Sequence, residues 1–365
     1  MQVDVTRLSF WTALHYPAIG LLLAIPGDLP GQQAERYAIP GSDVAIYNLA
    51  GEVRVEAGSG ADVVAELTRG GADGAKLKVL RSEIDGSEAL RVTYPADRIQ
   101  YARLSGGSST QLRVRDNGTF GGDHDRDSDE KPRGKQVTIT GKGSGLDAYA
   151  DLRVTVPRGK HVELYLAVGK VAVSNVDGDL AIDASSAPVT ASGTRGELDI
   201  DVGSGAVQVS DSRGDLSVDT GSGGVGLSAV RGERVQVNTG SGDVTATNVR
   251  SNELSIDTGS GDIQVTALVA PQLSLETGSG AVSADVQGEL WNVNVETGSG
   301  DVTLKVPPTV GAQVEIETSS GDIETDFAVQ VTRHARDHLT GQIGDGRGKI
   351  AIETGSGGIK LVKNQ

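Results

Sequence analysis

The chain has 365 residues, of which 51 are glycine, none is cysteine and only 3% are aromatic. Large aromatic side chains therefore cannot build the core, and small and β-branched residues must fill it. The formal net charge of −16 argues against binding to nucleic acid or an anionic membrane, because both need clustered cations. The absence of cysteine excludes disulfides, a thiolate nucleophile and a cysteine-ligated metal.

Residues 1–36 differ in composition from the rest of the chain. Arg7 precedes a short apolar run from Pro17 to Pro26, which has the proportions of a signal-peptide core and is too short to span a bilayer. We expect this segment to be a signal peptide or an N-terminal tail. The predicted location is the periplasm or the cell surface, and no later segment is apolar enough to be a transmembrane helix.

Residues 37–160 are predicted to form an N-terminal β region that caps the repeats described below. The run from Val44 to Val55 alternates like a degenerate first coil, and further strand-like runs follow it. Residues 104–136 are dense in glycine, serine and charge. Such a composition buries little apolar surface, so we expect a mobile insertion there.

Residues 161–365 carry an internal repeat built on a six-residue turn motif. Its clearest form is Thr239-Gly240-Ser241-Gly242-Asp243-Val244, and copies recur about every 19 residues. Clear copies begin at Thr220, Thr239, Thr258, Thr277 and Thr297, and weaker ones at Leu166, Ala184, Val202, Thr318 and Thr354. The longer last interval contains an insertion at residues 332–349, which is expected to be a loop before the final coil.

Each repeat has two alternating segments on either side of the turn. Leu254, Ile256, Ile263 and Val265 fall on one face by the period of two, and polar residues fall on the other. A single coil cannot bury such a face alone, so each coil must stack on the next one along the chain. The prediction is an all-β fold, a parallel β-solenoid with Gly-Ser-Gly corners and either two or three sheets.

The glycines of the motif have an architectural explanation. Stacked identical corners bring backbones close together, and positive φ or close approach is easiest without a Cβ. The motif is not a phosphate cradle, because no lysine follows it and no helix begins after it. We therefore interpret it as part of the scaffold.

Several segments resemble a known family. Asn48 to Val55, Leu152 to Gly159 and the serial Thr-Gly-Ser-Gly-Asp-Val turns are similar to the DUF4097 family of bacterial adhesin-like proteins, over roughly residues 40 to 363. The resemblance implies a β-helix fold and an adhesin-like function, and it brings no catalytic residues with it.

An acidic column lies two positions before the first glycine of each motif. Its members are Asp183, Asp201, Asp219, Asn238, Asp257, Glu276, Glu296, Glu317 and Glu353. All are expected to point outward and, if stacked, to repel one another. Two interpretations stay open: a solvated polar face, or shared Ca²⁺ ions bound by carboxylates. The calcium hypothesis names Asp219, Asp257, Glu276, Glu296 and Glu317 as ligands, and no other cofactor is expected.

The sequence predicts no catalytic residue, because the acids recur in almost every coil whereas an active site breaks a repeat locally. Trp291 is the only tryptophan of the repeat region, and a lone tryptophan is expected to pack. The favoured function is a non-enzymatic exported adhesin or scaffold that binds a protein or a polysaccharide surface. The alternatives are a polysaccharide-active enzyme on the same scaffold and a cell-envelope stress sensor.

Overall fold

The computed structural model describes residues 34–104, 107–121 and 134–364. Residues 1–33 of the expected signal segment lie outside the described residues. The described residues form strands and one 3-10 turn, Gly74–Lys76. The N-terminal strands are β1 (Glu35–Ile39), β2 (Asp43–Ala57), β3 (Val63–Gly70), β4 (Lys78–Ile84), β5 (Ser87–Thr93), β6 (Arg98–Gln100), β7 (Ser109–Val114), β8 (Lys135–Thr140), β9 (Leu146–Asp147) and β10 (Tyr149–Val156).

The repeat region contributes the remaining strands. They are β11 (His161–Ser174), β12 (Asp179–Ser186), β13 (Val189–Ser192), β14 (Leu198–Ser204), β15 (Val207–Ser210), β16 (Leu216–Ser222), β17 (Val225–Ser228), β18 (Arg234–Ser241), β19 (Val244–Thr247), β20 (Glu253–Thr258), β21 (Ile263–Leu268), β22 (Gln272–Thr277), β23 (Val282–Val286), β24 (Asn292–Thr297), β25 (Val302–Val306), β26 (Ala312–Thr318), β27 (Ile323–Thr325), β28 (Val329–His334), β29 (His338–Ile343), β30 (Gly348–Thr354) and β31 (Ile359–Lys363).

Most of these strands form one continuous 27-stranded sheet that bends into two faces. The first face holds the strands before each Gly-Ser-Gly corner, such as β12, β14 and β16, and the second holds those after it, such as β13, β15 and β17. Pairing along both faces of the repeat is parallel. The strands β2 and β11 run around the corner and join the faces. The predicted parallel β-solenoid is therefore confirmed.

The core follows the alternation read from the sequence. Leu254 and Ile256 before the corner and Ile263 and Val265 after it are at most 2% exposed. One apolar cluster of equivalent residues continues through every coil. Stacking therefore buries what a single coil would leave in water.

The Gly-Ser-Gly corner needs both of its glycines. A Cβ on Gly221 would lie 2.6 Å from the carbonyl oxygen of Gly203 in the preceding coil. Gly223 adopts a φ of +143°, and a Cβ there would lie 2.2 Å from Gly205 O. Close approach excludes a side chain at the first glycine, and backbone conformation also disfavours one at the second.

A second turn, which was not predicted from the sequence, follows the strands of the second face. One residue per coil adopts a left-handed φ of 53° to 69°. These residues are Asn175, Gly193, Asp211, Ala229, Asn248 and Ala267. A line of isolated parallel bridges follows, through residues 177, 195, 213, 231, 250 and 269. We call this line the third corner; it replaces a third sheet.

The final coil does not stack in chain order. The strand β30 pairs with β24 on one side and with β26 on the other, and β31 lies between β25 and β27. Gly355 N donates to Thr297 O at 3.1 Å, and Ser319 N donates to Thr354 O at 3.2 Å. The expected sequential order is therefore wrong at this end, because the chain folds back and inserts its last coil between two earlier ones.

Residues 332–349 were expected to form a loop, and this prediction is also wrong. The strands β28 and β29 form an antiparallel hairpin, and β29 also pairs antiparallel with β26. Leu339 and Ile343 are buried against the main core. The hairpin covers the outer edge of β26 and returns the chain to its inserted position.

The N-terminal region continues the same stack. The strand β2 pairs with β11 in register, so that Gly51 faces Gly169, and β5, β10 and β3 extend the two faces outward from there. A separate four-stranded sheet of β7, β8, β6 and β9 covers part of the first face. These strands form the cap at this end of the solenoid.

Part of the expected mobile insertion 104–136 is a strand. The strand β7 pairs antiparallel with β8 from Ser109 to Val114. Leu112 and Val114 pack on a second apolar cluster that contains Ile139, which explains why this stretch is ordered despite its polar composition. Residues 105–106 and 122–133 lie outside the described residues.

Candidate functional site

The acidic column forms a continuous ladder on the outer side of the first face. Direct register pairs join its successive members, from Asp183 with Asp201 to Glu276 with Glu296. Glu353 then lies between Glu296 and Glu317, because the last coil is inserted there. The five residues of the calcium hypothesis are all exposed: Asp219, Asp257, Glu276, Glu296 and Glu317. We call this column the acidic ladder.

The aspartates inside the turn motif have a different role. Asp243 Oδ1 accepts Asp262 N at 3.0 Å, and Asp262 Oδ1 accepts Ala281 N at 2.8 Å. Asp301 Oδ1 accepts Gly358 N at 2.8 Å in the same way. These carboxylates satisfy backbone donors of the next coil, so the motif's own acids are structural.

Two of the ladder carboxylates accept hydrogen bonds from polar side chains of their own strands. Glu276 Oε1 accepts Ser274 Oγ at 3.1 Å, and Glu296 Oε1 accepts Asn294 Nδ2 at 2.8 Å. In the part of the chain that the structure describes, no group of three or more Asp, Glu or His side chains converges to hold a metal ion. The calcium hypothesis stays a prediction.

A groove of about 590 Å³ opens beside Trp291. The indole is 65% exposed, so the expectation that this tryptophan packs in the core is wrong. The remaining lining residues are Gln287, Gly288, Glu289, Leu290, Pro307, Thr309, Val310, Gly311, Asp345 and Arg347. The indole ring is thus surrounded by amide, carboxylate and guanidinium groups.

The groove forms where the repeat is interrupted. Trp291 N donates to Pro271 O at 2.9 Å, and Lys349 N donates to Trp291 O at 2.8 Å. The backbone of Trp291 is therefore fixed between its own neighbouring coil and the inserted one, while the ring stays in solvent. Arg347 Nε and Asp345 Oδ2, which also line the groove, form a 3.0 Å ion pair. We call this feature the Trp291 groove.

Four arginines stack along the third corner. Arg195, Arg213, Arg231 and Arg250 pair directly with one another through parallel bridges, and all four are exposed. No role was predicted for them from the sequence, although they recur at the interval of the repeat. We call them the arginine column.

A second cleft, of about 550 Å³, lies beside the N-terminal cap. The rings of Tyr47 and Tyr165 stack at 4.3 Å on its floor, and burial raises the pKa of Tyr165 well above its usual range. Beneath the cap Arg91 is 5% exposed and donates to Asn117 O at 2.7 Å and Ser82 Oγ at 2.6 Å. These contacts join the cap to the first face.

The fold defines this chain as a parallel β-solenoid with an exposed polar surface and capped ends. The profile of the family described as Toastrack DUF4097 matches residues 126–362. The chain belongs to this family. No curated protein matches the chain.

Solved structures that match the chain include two proteins described as adhesion proteins. One is an inferred cell adhesion protein from Clostridium sporogenes, which is 10% identical to this chain with a TM-score of 0.22. The match covers 92% of this chain and 100% of that protein. The other is an inferred adhesin from Bacteroides fragilis, which is 12% identical with a TM-score of 0.38. The match covers 91% of this chain and 98% of that protein. Within the residues that the structure describes, no helix is long and apolar enough to cross a membrane.

Proposed function

We propose that the protein is an exported, non-enzymatic, adhesin-like solenoid that binds a polymer or protein partner outside the cytoplasm. The scaffold supports this role, because the stacked coils present long surfaces that backbone pairing and a continuous apolar core hold in place. Surfaces of this kind serve in repeat proteins as extended binding sites. The partner contact is assigned to the Trp291 groove.

The observation that carries the proposal is the exposure of Trp291. Burying its indole would be favourable by a few kcal/mol from area alone, yet it stands 65% exposed at a fixed backbone position. Aromatic residues with one free face are enriched where proteins bind partners. The polar groups of Gln287, Asp345 and Arg347 around the indole can orient such a partner by hydrogen bonds.

The binding test uses purified labelled protein and isolated cell-envelope material. Trp291→Ala is expected to lower binding at least tenfold. Leu80→Ala is the matched control, because Leu80 is also exposed, at 41%, but lies on β4 at the other end. Equal binding by the wild type and Trp291→Ala would refute the role of the groove.

Export is tested separately from binding. Residues 1–36 are fused to a phosphatase reporter that folds actively only outside the cytoplasm. The proposal predicts active reporter, and a fusion in which the apolar run Pro17 to Pro26 carries two arginines should be inactive. Reporter that stays inactive in both fusions would contradict export by this segment.

A second candidate function is cleavage of a polysaccharide. Glu289 and Asp345 both line the Trp291 groove together with Arg347. Most glycosidases use two carboxylates, one as general acid and one as base or nucleophile. Release of reducing ends from a polysaccharide panel, lost in Glu289→Gln and Asp345→Asn, would establish this activity. The scaffold proposal predicts no release by the wild type.

A further inference from the structure

The arginine column is held in strict register by the backbone. Arg213 N donates to Thr194 O, Arg231 N to Ser212 O and Arg250 N to Val230 O, each at 2.9 Å. One guanidinium therefore leaves the third corner per coil, at a spacing of about 4.8 Å along the solenoid. The four side chains point away from the core and are exposed.

The four guanidinium groups form no salt bridge within the part of the chain that the structure describes. The chain nevertheless carries an excess of acids. Two of the neighbouring acids accept hydrogen bonds from the next coil. Asp215 Oδ1 accepts Glu233 N at 2.9 Å and Arg234 N at 3.0 Å, and Glu233 accepts Asn252 Nδ2.

Stacked like charges repel, and salt weakens that repulsion only in part at this distance. The acidic ladder recurs in the same coils, but it lies on the first face, whereas the arginine column lies along the third corner. A column of guanidinium groups that form no salt bridge with the described residues is a surface that a linear polyanion can neutralise, because each group donates a fork of hydrogen bonds to carboxylate, sulfate or phosphate.

The column continues directly into the Trp291 groove. Arg250 is bridged to Val269, and a Cβ on Gly288 would lie 3.1 Å from Val269 Cγ1, which places Gly288 next along the same corner. Gly288 and Trp291 both line the groove. The arginine column and the Trp291 groove thus lie along one edge of the solenoid. From Arg195 to Gly288 this edge spans five coil steps, about 24 Å.

We propose that this edge binds a linear anionic polysaccharide, with its acidic groups on the arginine column and a sugar ring on Trp291. The proposal rests on the proposed function, since it names the chemistry of that partner. A nucleic acid fits less well, because sites for single strands stack successive bases on several aromatic residues, whereas this groove has one tryptophan.

The test measures affinity for polygalacturonate, dextran sulfate, neutral dextran and oligo(dT) across a salt series. The variant replaces Arg195, Arg213, Arg231 and Arg250 by glutamine. The control replaces Lys78, Lys142, Lys170 and Lys305 by glutamine, which changes the net charge equally at exposed positions elsewhere. Circular dichroism checks that both fold, and Arg231→Gln alone provides a milder variant.

The wild type is expected to bind one of the two acidic polysaccharides and to bind neutral dextran and oligo(dT) at least tenfold more weakly. The arginine variant should lose at least tenfold in affinity and show a shallower salt slope, with Arg231→Gln in between. Trp291→Ala should lower affinity without changing the slope, and the lysine control should match the wild type.

Equal affinity of the arginine variant and the lysine control would overturn the proposal, and so would preference for oligo(dT). Failure of this inference is distinguishable from failure of the proposed function. If the arginine variant still binds envelope material and Trp291→Ala does not, the polyanion site is wrong and the Trp291 groove stands.

Discussion

Gly355 lies directly on Gly298 in the corner column, although an entire coil and a hairpin separate them in the chain. A Cβ on Gly355 would be 2.4 Å from Gly298 O, and 3.5 Å from its carbonyl carbon. This contact exists only because the last coil is inserted between two earlier ones. Much of the C-terminal end depends on it, since β24, β25, β26 and β27 all pair with the inserted strands.

Gly355→Ala is therefore expected to destabilise the protein by about 2 kcal/mol, because the added Cβ would push the backbone of Gly298 away. The matched control is Gly358→Ala in the same coil, where a Cβ would meet nothing closer than Asp301 Oδ1 at 3.7 Å. Urea unfolding measures both. Equal free energies of unfolding for the two variants would contradict the close stacking at Gly355.

The threonine that opens each motif provides a second prediction. Thr277 Oγ1 donates to Gly261 O at 3.1 Å, whereas the buried hydroxyl of Thr239 has no hydrogen-bond partner among the described residues. Thr277→Val should cost about 1 kcal/mol, and Thr239→Val should be neutral or stabilising, because it removes an unsatisfied polar atom. Thermal unfolding of the two nearly isosteric variants decides whether these hydroxyls hold the coils together.

The left-handed turn that follows strands of the second face predicts a substitution that stabilises the protein. Ala229 adopts a φ of +55°, which is costly for a residue with a Cβ. Ala229→Gly is expected to raise the free energy of unfolding by about 0.5 kcal/mol, after the entropy lost by glycine is subtracted. Ala246→Gly is the control, because Ala246 is fully buried in β19 and its loss should destabilise. A destabilising Ala229→Gly would argue against the left-handed turn.

The sequence was sufficient to predict the repeating coil, its Gly-Ser-Gly corner and the residues that face the core. The glycines at 221 and 223 and the alternation around Leu254 and Ile263 are local signals, and stacking multiplies them. The order of stacking was not predictable in the same way. Glu296, Glu317 and Glu353 stand in coils with the same pattern, so any pair of these coils could be neighbours, and the hairpin β28–β29 decides between them.

The candidate site was predicted in part. The outward acidic ladder followed from the period of two, because it repeats in nearly every coil. Trp291 was not predicted to be exposed, since a single aromatic residue carries no period and its environment depends on the inserted coil. The arginine column did have a signal, the recurrence of Arg195, Arg213, Arg231 and Arg250 at the repeat interval, but it falls outside the strands on which the alternation was counted.

The acidic ladder predicts a salt effect on stability. Glu276 lies between Asp257 and Glu296 and is exposed, so Glu276→Gln should raise the melting temperature slightly at low salt, and the gain should vanish in about 1 M NaCl. At matched ionic strength, CaCl₂ should do no more than NaCl. A larger calcium effect that chelator reverses and Glu276→Gln abolishes would establish the calcium hypothesis instead.

The inserted last coil is tested most directly by cross-linking, because the chain has no cysteine of its own. Glu296 and Glu353 are register neighbours, as are Glu353 and Glu317, at Cα separations of about 4.8 Å that suit a disulfide. Glu296 and Glu317 are two strands apart, about 9.6 Å, which is too far. The structure predicts that the double cysteine variants 296/353 and 317/353 oxidise within the monomer and that 296/317 does not. A disulfide in 296/317 and none in 296/353 would show that the coils stack in chain order and would contradict the fold described above.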